Sequence, residues 1–333
     1  TQSEKLKLKS STSIQLKEFF KSKYYPTISI GLEHKKINFT QLVADKTDGD
    51  GDQMQGEYSN SYMSSLIYPL KNLQFEFGLR KTTNQKFDNQ NTHRFGITYK
   101  NKNKKIFFNH STAFKNPTFT ERYGYYAGTF KGNSDLKPEN VRQYEIGYSI
   151  NTAKEKFNIS QTFYNAKLKN EINGFTSHPE GGYTAKNMDS NSYRKGLETK
   201  VKYNINKYSN AFISYNYVDS TEYNSTSEKQ KSESRRPRNV LNINYDNNFF
   251  NKLSMNSNIF YSSKVKDTDF SSYPYQNVYM NSYFLLNTTM NYNVDSNNKI
   301  SLVFKNIFNR EYNEVNGYNS PGFEVLINYR NSF

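Results

Sequence analysis

No cysteine and no tryptophan occur among the 333 residues of this chain, and only 8 residues are proline. Without cysteine, the chain cannot form disulfide bonds or thiolate metal sites, and it has no cysteine nucleophile. No segment approaches the roughly 20 consecutive apolar side chains that a membrane-spanning helix requires. These absences exclude a disulfide scaffold, a cysteine enzyme and a helical membrane protein.

The abundant residues are aromatic and polar. Phenylalanine and tyrosine number 25 and 29, although the hydrophobic fraction is 34% and the mean hydropathy is -0.94. Strands, rather than helices, usually carry apolar surface of this aromatic kind. A polar chain can still cross a bilayer as a closed barrel, because only alternate residues of each strand face lipid.

The net charge of +15 and the isoelectric point near 9.4 raise the hypothesis of a nucleic-acid partner. The basic residues are scattered, however, either singly between apolar residues or in polar turns such as the one with Lys102, Lys104 and Lys105. No basic helix and no nucleic-acid-binding motif accompanies them. The sequence therefore predicts no nucleic-acid partner.

Apolar and polar residues alternate through nearly the whole chain. Between Leu73 and Arg80, the odd-numbered residues are apolar and the even-numbered ones are polar or glycine. This period of two predicts a half-buried strand and excludes an amphipathic helix. Clusters of Gly, Asn, Asp and Pro divide the chain into about 15 such strands. They are predicted near 4–20, 25–38, 56–69, 71–80, 90–100, 105–114, 139–150, 156–170, 191–205, 209–219, 235–246, 250–264, 280–294, 299–308 and 321–333.

The connections between these strands alternate in length, as they do in transmembrane β-barrels. In the last strand, Phe323, Val325, Ile327 and Tyr329 share a face with the terminal Phe333. A terminal aromatic in such a strand resembles the end signal of outer-membrane barrels, and an ordinary edge strand that ends in phenylalanine is the alternative. Short turns are predicted at 71–72, 101–104, 206–209 and 295–298, and longer segments at 39–55, 115–138, 171–190, 220–234, 265–279 and 309–320.

The strand count predicts an incomplete barrel. Bacterial single-chain barrels have an even number of strands and both chain ends on the periplasmic side. If the last of about 15 strands, an odd number, ends in the periplasm, the first strand must also run toward the periplasm. The first strand of a whole barrel runs the other way. We therefore expect an all-β fold: an antiparallel transmembrane β-barrel domain over residues 1–333 that is incomplete at its amino terminus.

Two blocks of sequence carry a family resemblance. The first is AFKNPTFTERYG at 113–124, followed by GNSDLKPE at 132–139 and YEIGY at 144–148, and the second is KNIFNREY at 305–312 followed by GYNSPG at 317–322. Together they resemble the signature of TonB-dependent outer-membrane receptors, with an ending most similar to receptors of the vitamin B12 type. Asn116, Ser134 and Phe323 depart from the commonest family forms. The motif residues are Pro117, Thr118, Glu121, Asn133, Leu136, Pro138, Glu139, Tyr144, Glu145, Gly147, Asn306, Phe308, Tyr312, Gly317, Tyr318, Pro321, Gly322 and Phe333.

The resemblance implies the carboxy-terminal part of a barrel of about 22 strands, without the plug domain of the family's transporters. It implies a place in the lipid of the outer membrane and import of a bulky, scarce nutrient, driven by the TonB complex through the plug. A corrinoid such as vitamin B12 is the first expected substrate, and a ferric siderophore is the second. Two alternatives stay open: a passive porin-like or structural outer-membrane barrel, and a soluble, secreted β-rich binding protein.

Aromatic residues are concentrated in the long segment that follows Pro117. Tyr123, Tyr125, Tyr126 and Phe130 lie on a predicted external loop, where their rings can stack on a planar ligand or pack the loop itself. These four residues are the predicted ligand contacts.

Evidence for metal binding or catalysis is sparse in this sequence. Asp48, Asp50 and Asp52, near Asp45 and interleaved with glycine, raise the hypothesis of a calcium site, with a solvated acidic loop as the alternative. The four histidines, at 34, 93, 110 and 178, show no metal-ligand spacing. No phosphate-binding loop, nucleophile elbow or paired catalytic motif occurs, so no enzyme and no other cofactor is predicted.

Overall fold

The structure is a computed structural model that describes residues 2–20, 23–41, 53–124, 130–152, 156–224, 229–250, 252–269, 271 and 275–332. Antiparallel strands make up nearly all of the regular structure, which confirms the predicted all-β class. Within these ranges, no helix is long and apolar enough to cross a membrane.

The elements follow one another along the chain as a series of strands interrupted by one short helix. In order, they are β1 Gln2–Gln15, β2 Thr27–Gln41, β3 Gln53–Pro69, β4 Leu73–Asn84, β5 Gln90–Lys100, β6 Lys104–Lys115, α1 Phe119–Tyr123, β7 Phe130–Lys131, β8 Glu139–Asn151, β9 Phe157–Lys169, β10 Ile172–Ser177, β11 Tyr183–Asn187, β12 Ser192–Asn204, β13 Ser209–Asn224, β14 Lys229–Ser232, β15 Asn239–Phe250, β16 Leu253–Ser262, β17 Val265–Asp269, β18 Gln276–Met280, β19 Tyr283–Asn293, β20 Asn298–Lys305 and β21 Glu324–Asn331.

One 16-stranded sheet dominates the fold. Its hydrogen-bonded order is β1-β2-β3-β4-β5-β6-β8-β9-β12-β13-β15-β16-β19-β20-β21, with β14 pairing beside this path on β13. Each strand of the path corresponds to one strand predicted from the sequence, so the predicted wall is confirmed strand by strand. Within the described residues, β1 and β21 are the two open edges, and the barrel wall is incomplete as expected.

Short strands also form in segments that the sequence predicted only as long connections. β10, β11 and β7 make a three-stranded sheet in which β11 pairs with β7 in parallel, and β17 pairs with β18 as a hairpin. These strands are short and partly paired over long sequence distances, so the sequence shows no local alternation that predicts them. They all lie in connections at one end of the wall.

The register places apolar residues in continuous rows along one face of the sheet. One row crosses eight strands and consists of Tyr68, Phe75, Ile97, Phe108, Ile146, Phe163, Leu197 and Tyr217. This face is exposed: Leu79, Ile146 and Ile327 have relative exposures of 66%, 54% and 72%. A soluble sandwich would bury such a face against a second sheet, whereas a barrel presents it to lipid.

The opposite face is polar and is held together by side-chain pairs between strands. The Glu33 carboxylate forms ion pairs with Lys7 at 2.9 Å and with Arg80 at 3.4 Å. Arg94 of β5 lies 3.6 Å from Glu76 of the neighbouring β4. The polar face therefore has the paired charges that line the water-filled side of a barrel.

Half of the buried apolar side chains of the described residues lie outside the strands of the wall. Phe39, Leu136, Ala185 and Met280 are each at most 8% exposed, and all four lie at the sheet end where the long connections emerge. Apolar burial at this end thus involves the connecting segments as well as strands of the wall.

Candidate functional site at the long-loop end

The candidate site is the sheet end at which the longer connections meet, here called the long-loop end. At the opposite end, consecutive strands are joined by tight turns such as 70–72, 101–103, 205–208 and 294–297. The predicted alternation of short and long connections is therefore confirmed. The long-loop end contains the connections 116–138, 170–191, 225–238, 263–282 and 306–323, and the described parts of these build its surface.

Helix α1 forms because the motif PTFTE supplies a complete amino-terminal cap. The Thr118 hydroxyl accepts a hydrogen bond from the Glu121 N–H at 3.2 Å, and the Glu121 carboxylate accepts one from the Thr118 N–H at 2.7 Å. This reciprocal capping box satisfies two backbone donors that would otherwise have no partner. Pro117 is buried immediately before it, so this part of the family motif shapes the loop.

Arg122, in the last turn of α1, is the centre of a buried group that we call the Arg122 cluster, with Glu57, Phe87, Phe119 and Tyr123. Its Nη2 lies 2.6 Å from Glu57 Oε2, and the two side chains are 4% and 10% exposed. The guanidinium carbon lies 5.0, 4.7 and 5.1 Å from the ring centroids of Phe87, Phe119 and Tyr123. Guanidinium groups are attracted to aromatic faces at such distances, so the cluster ties the loop to β3 and to the β4–β5 connection.

The second half of the first motif block anchors the same connection to its neighbour. The Asn133 side chain donates to the Ala185 carbonyl in β11 at 2.9 Å. The Glu139 carboxylate accepts from the Ile172 N–H in β10 at 2.8 Å. Leu136, which lies between these two residues in the sequence, is 4% exposed, and Pro138 is also buried. The motif therefore joins the 116–138 connection to the β10–β11 hairpin.

The last part of that block, on β8, packs within the wall. Tyr144 stacks on His110 with ring centroids 4.4 Å apart. The Glu145 carboxylate accepts hydrogen bonds from the Gln143 side chain at 2.6 Å and from Asn109 at 3.3 Å. A Cβ at Gly147 would lie 2.5 Å from Phe107 Cζ, so the glycine leaves space for a ring of the neighbouring strand.

The second motif block folds around one asparagine. Asn306 is 4% exposed and has a positive φ of 47°. Its side-chain amide donates to the carbonyls of Arg310 at 2.9 Å and Pro321 at 3.2 Å, and its oxygen accepts the Arg310 N–H at 2.8 Å. Asparagine tolerates the left-handed conformation better than most residues. It therefore closes the 306–323 loop at its base.

The other residues of this block are distributed around the loop. Tyr312 stacks on Tyr283 with centroids 4.5 Å apart, and Phe308 meets Phe284 edge-on at 5.6 Å. Tyr318 is 73% exposed, next to Gly317, whose φ of 84° favours glycine. Pro321 and Gly322 are exposed where the chain enters β21.

A cavity of about 660 Å³ lies between this loop and the start of β19. Its volume falls within the range of small-molecule sites, about 300–1,000 Å³. Its walls combine aromatic rings with amide and charged groups, and they include Tyr279, Tyr283, Arg310, Tyr312, Asn316 and Asn319.

Asp267, in the β17–β18 hairpin, links three segments of the long-loop end. Its carboxylate is 1% exposed and accepts hydrogen bonds from Arg235 Nε at 2.7 Å and from the N–H groups of Thr268 and Asn316, both at 2.8 Å. Burial favours a raised pKa for Asp267, but the donors from Asn316, Arg235 and Thr268 outweigh it and hold the pKa below its ordinary value.

Acid should therefore loosen this link. A carboxyl group with a depressed folded-state pKa contributes stability that is fully present above its unfolded pKa, about 3.9. That contribution is lost as pH falls through the lower folded pKa. We expect protection factors for amide exchange in residues 306–323, corrected for intrinsic rates, to fall below about pH 4. Asp267→Asn should show low protection already at pH 7, with no further pH step in this range.

The predicted ligand contacts lie only partly within the described structure. Tyr123 is half-buried and packs on Phe119 and Arg122, which favours the loop-packing alternative for its ring. Phe130 is half-buried in β7, opposite Tyr183 of β11. Tyr125, Tyr126, the proposed calcium ligands Asp48, Asp50 and Asp52, and the terminal Phe333 lie outside the described residues, so those predictions stay untested.

Two of the four histidines, which lie far apart in sequence, meet in the fold. His93 and His110 face each other, with Nε2 atoms 3.2 Å apart, although 17 residues separate them in sequence. The β5–β6 register pairs His110 with Phe95, two residues beyond His93, and so brings the two imidazoles together diagonally. No group of three or more His, Asp or Glu residues suited to a metal occurs in the described part of the chain.

Comparison with known proteins agrees with this architecture. The family described as TonB dependent receptor-like, beta-barrel, matches residues 9–309. The vitamin B12 transporter BtuB of Vibrio cholerae is 25% identical over 246 residues, which are 73% of this chain and 37% of the transporter. The chain thus spans well under half the length of this relative.

Solved structures share the fold. The siderophore receptor PirA of Acinetobacter baumannii superposes with a TM-score of 0.80 at 16% identity, over 99% of this chain and 55% of the receptor. A variant of the ferric enterobactin receptor PfeA of Pseudomonas aeruginosa, in complex with enterobactin, also gives 0.80, at 15% identity over 99% and 54%. Since the family match extends over most of the chain and the strand order is that of a barrel wall, the chain belongs to the TonB-dependent receptor β-barrel family.

Proposed function

We propose that this chain is the wall of an outer-membrane transporter that captures a bulky, scarce nutrient at its long-loop end. The observation that carries the proposal is the pairing of a continuous, exposed apolar face with a polar opposite face. Such a sheet is stable where lipid covers the first face and water the second. Lipid of the outer membrane is then its first partner, and its role is transport, not catalysis.

A corrinoid is the first proposed substrate, supported by the sequence relationship to a vitamin B12 transporter. A ferric siderophore is the second, because exposed guanidinium groups at the long-loop end suit an anionic chelate. The side chains of Arg235, Arg236 and Arg238 are 46%, 43% and 60% exposed. Each is paired with an acidic residue, so a ligand anion would compete with that carboxylate.

Release of the nutrient through the wall is proposed to need the TonB complex, acting on a plug domain. A calcium ion held by Asp48, Asp50 and Asp52 is a further proposal for the β2–β3 connection, since carboxylate oxygens are its preferred ligands. Titration of the protein with calcium, with Asp50→Asn as the comparison, tests that point separately.

Ligand binding by the natural full-length protein tests the proposed function. In detergent, we expect saturable quenching of tyrosine fluorescence by cyanocobalamin, or by ferric enterobactin if the anionic alternative is right. Phe130→Ala should weaken binding at least about tenfold, the cost of roughly 1.4 kcal/mol of lost contact. Tyr208→Ala, in the turn at the opposite end of the wall, should leave binding unchanged. Absence of saturable binding with both ligands would overturn the proposal.

A further inference from the structure

The His93–His110 pair has the chemistry of a metal site on the outer surface of the wall. His110 Nδ1 lies 3.2 Å from the Gln143 carbonyl oxygen. A carbonyl oxygen only accepts, so Nδ1 carries the hydrogen and Nε2 of the neutral ring has a free lone pair. Histidines that bind metals commonly have this arrangement, in which the second ring nitrogen donates to a carbonyl group.

His93 can present a lone pair in the same way. Its Nδ1 lies 3.4 Å from the Thr112 hydroxyl, which can either donate to this nitrogen or accept from it. In the first case, His93 Nε2–H donates to His110 Nε2. In the second case, His93 carries its hydrogen on Nδ1, so both Nε2 atoms present lone pairs to each other. A cation can then occupy the place that the Nε2 hydrogen holds in the first case.

The distances fit a tetrahedral ion. Zinc binds imidazole nitrogen at about 2.0–2.1 Å, so two nitrogens on one edge of a tetrahedron lie about 3.3–3.4 Å apart. The two Nε2 atoms are 3.2 Å apart. Two such rings directed at one zinc ion have centroids about 5.2 Å apart by the same geometry, and the observed separation is 5.1 Å. Little movement is needed to admit the ion.

The pair lies on the exposed apolar face, at the border that faces the long-loop end. His93 pairs with Leu79, and the next row on the sheet interior side pairs Phe77 with Phe95. On the loop side, the next row pairs Lys81 with Asn91. The imidazoles therefore lie where apolar surface gives way to polar surface, and His93 is exposed. An ion there can keep water in its other coordination positions.

We propose that His93 and His110 bind one divalent zinc-like ion through their Nε2 atoms and so cross-link β5 and β6 at the border of the apolar surface. The stack of His110 on Tyr144, with centroids 4.4 Å apart, holds one ligand ring in place before the ion arrives. The binding does not depend on transport or on the identity of the nutrient.

Titration calorimetry with zinc chloride, on the purified protein in detergent at pH 7.5, tests this site. We expect His93→Gln and His110→Gln each to weaken zinc binding at least about tenfold, because loss even of a group that hydrogen-bonds a metal ligand costs about that much. His34→Gln is the matched control, because His34 lies on the same face but has Asn60, at 2.7 Å, and the ring of Tyr58 as neighbours in place of a second histidine. That variant should retain the affinity of the unchanged protein.

A spectroscopic measurement keeps the test independent of folding. Copper(II) bound in place of zinc should show two coordinated imidazoles in pulsed electron paramagnetic resonance, and one or none in the His110→Gln protein. Equal zinc affinity in the unchanged, His93→Gln and His110→Gln proteins would overturn the assignment. So would a copper spectrum with a single imidazole in the unchanged protein.

Discussion

Gly147→Ala is expected to lower the free energy of unfolding by about 1–3 kcal/mol, the usual cost of overpacking. A Cβ at this position would lie 2.5 Å from Phe107 Cζ and 2.8 Å from the Gln161 carbonyl oxygen. The ring can move aside, but the carbonyl belongs to the paired backbone of β9 and cannot. Urea unfolding of the protein in detergent, followed by tyrosine fluorescence, measures the change.

Gly78→Ala is the matched control on the same polar face of the sheet. Its nearest neighbours, Arg94 Cβ and the Ser64 carbonyl oxygen, would lie 3.8 and 3.9 Å from an added Cβ. These are ordinary contacts, so its stability should stay within about 0.5 kcal/mol of the unchanged protein or rise slightly. The double variant Phe107→Leu with Gly147→Ala should recover part of the loss. Equal stabilities for the two single alanine variants would contradict the steric explanation.

Arg122→Met is expected to detach the loop that holds α1. Removal of one member of a buried ion pair leaves an uncompensated charge, which costs about 3–5 kcal/mol. Here the charge left behind is Glu57, 10% exposed and 2.6 Å from the arginine. We expect residues 116–124 to lose protection from amide exchange, while the centre of β8 keeps its protection.

A double-mutant cycle separates the ion pair from the ring contacts. Glu57→Gln removes the opposing charge, so the combined Arg122→Met and Glu57→Gln protein should be more protected than Arg122→Met alone. Arg122→Lys keeps the charge but loses the planar group that faces Phe87, Phe119 and Tyr123. It should therefore give an intermediate loss. Additive effects in the cycle would show that Arg122 and Glu57 do not interact.

The family motifs turn out to be largely structural. Thr118 and Glu121 cap α1, Asn133 and Glu139 hold the β10–β11 hairpin, and Asn306 closes the last long loop. Motif residues of this kind arrange the long-loop end in space. In the proposed function, the residues between them are the ones left to contact a nutrient.

Alternation along the chain was sufficient to predict the wall. The path of β1 to β21 reproduces the predicted strands in order. Successive side chains of a strand point to opposite faces, so the alternation of apolar and polar residues can be seen within each strand's own sequence. The largest errors at strand ends are five residues, one at each end of the sheet. β1 ends at Gln15 and not at 20. At the long-loop end, β13 continues to Asn224, past its predicted end at 219, because pairing with β14 prolongs it beyond the alternating segment.

Contacts between distant segments could not be predicted in this way. The ion pair of Arg122 with Glu57, the link from Asp267 to Asn316, and the meeting of His93 with His110 each join residues 17 to 65 positions apart. Local periodicity carries no information about which loops pack together or by how many residues two strands are offset. The positions of the strands, the two faces of the sheet and the alternation of loop lengths therefore follow from the amino-acid order alone. Only register and loop packing, which depend on the whole folded chain, decide where the buried charges and the paired imidazoles lie.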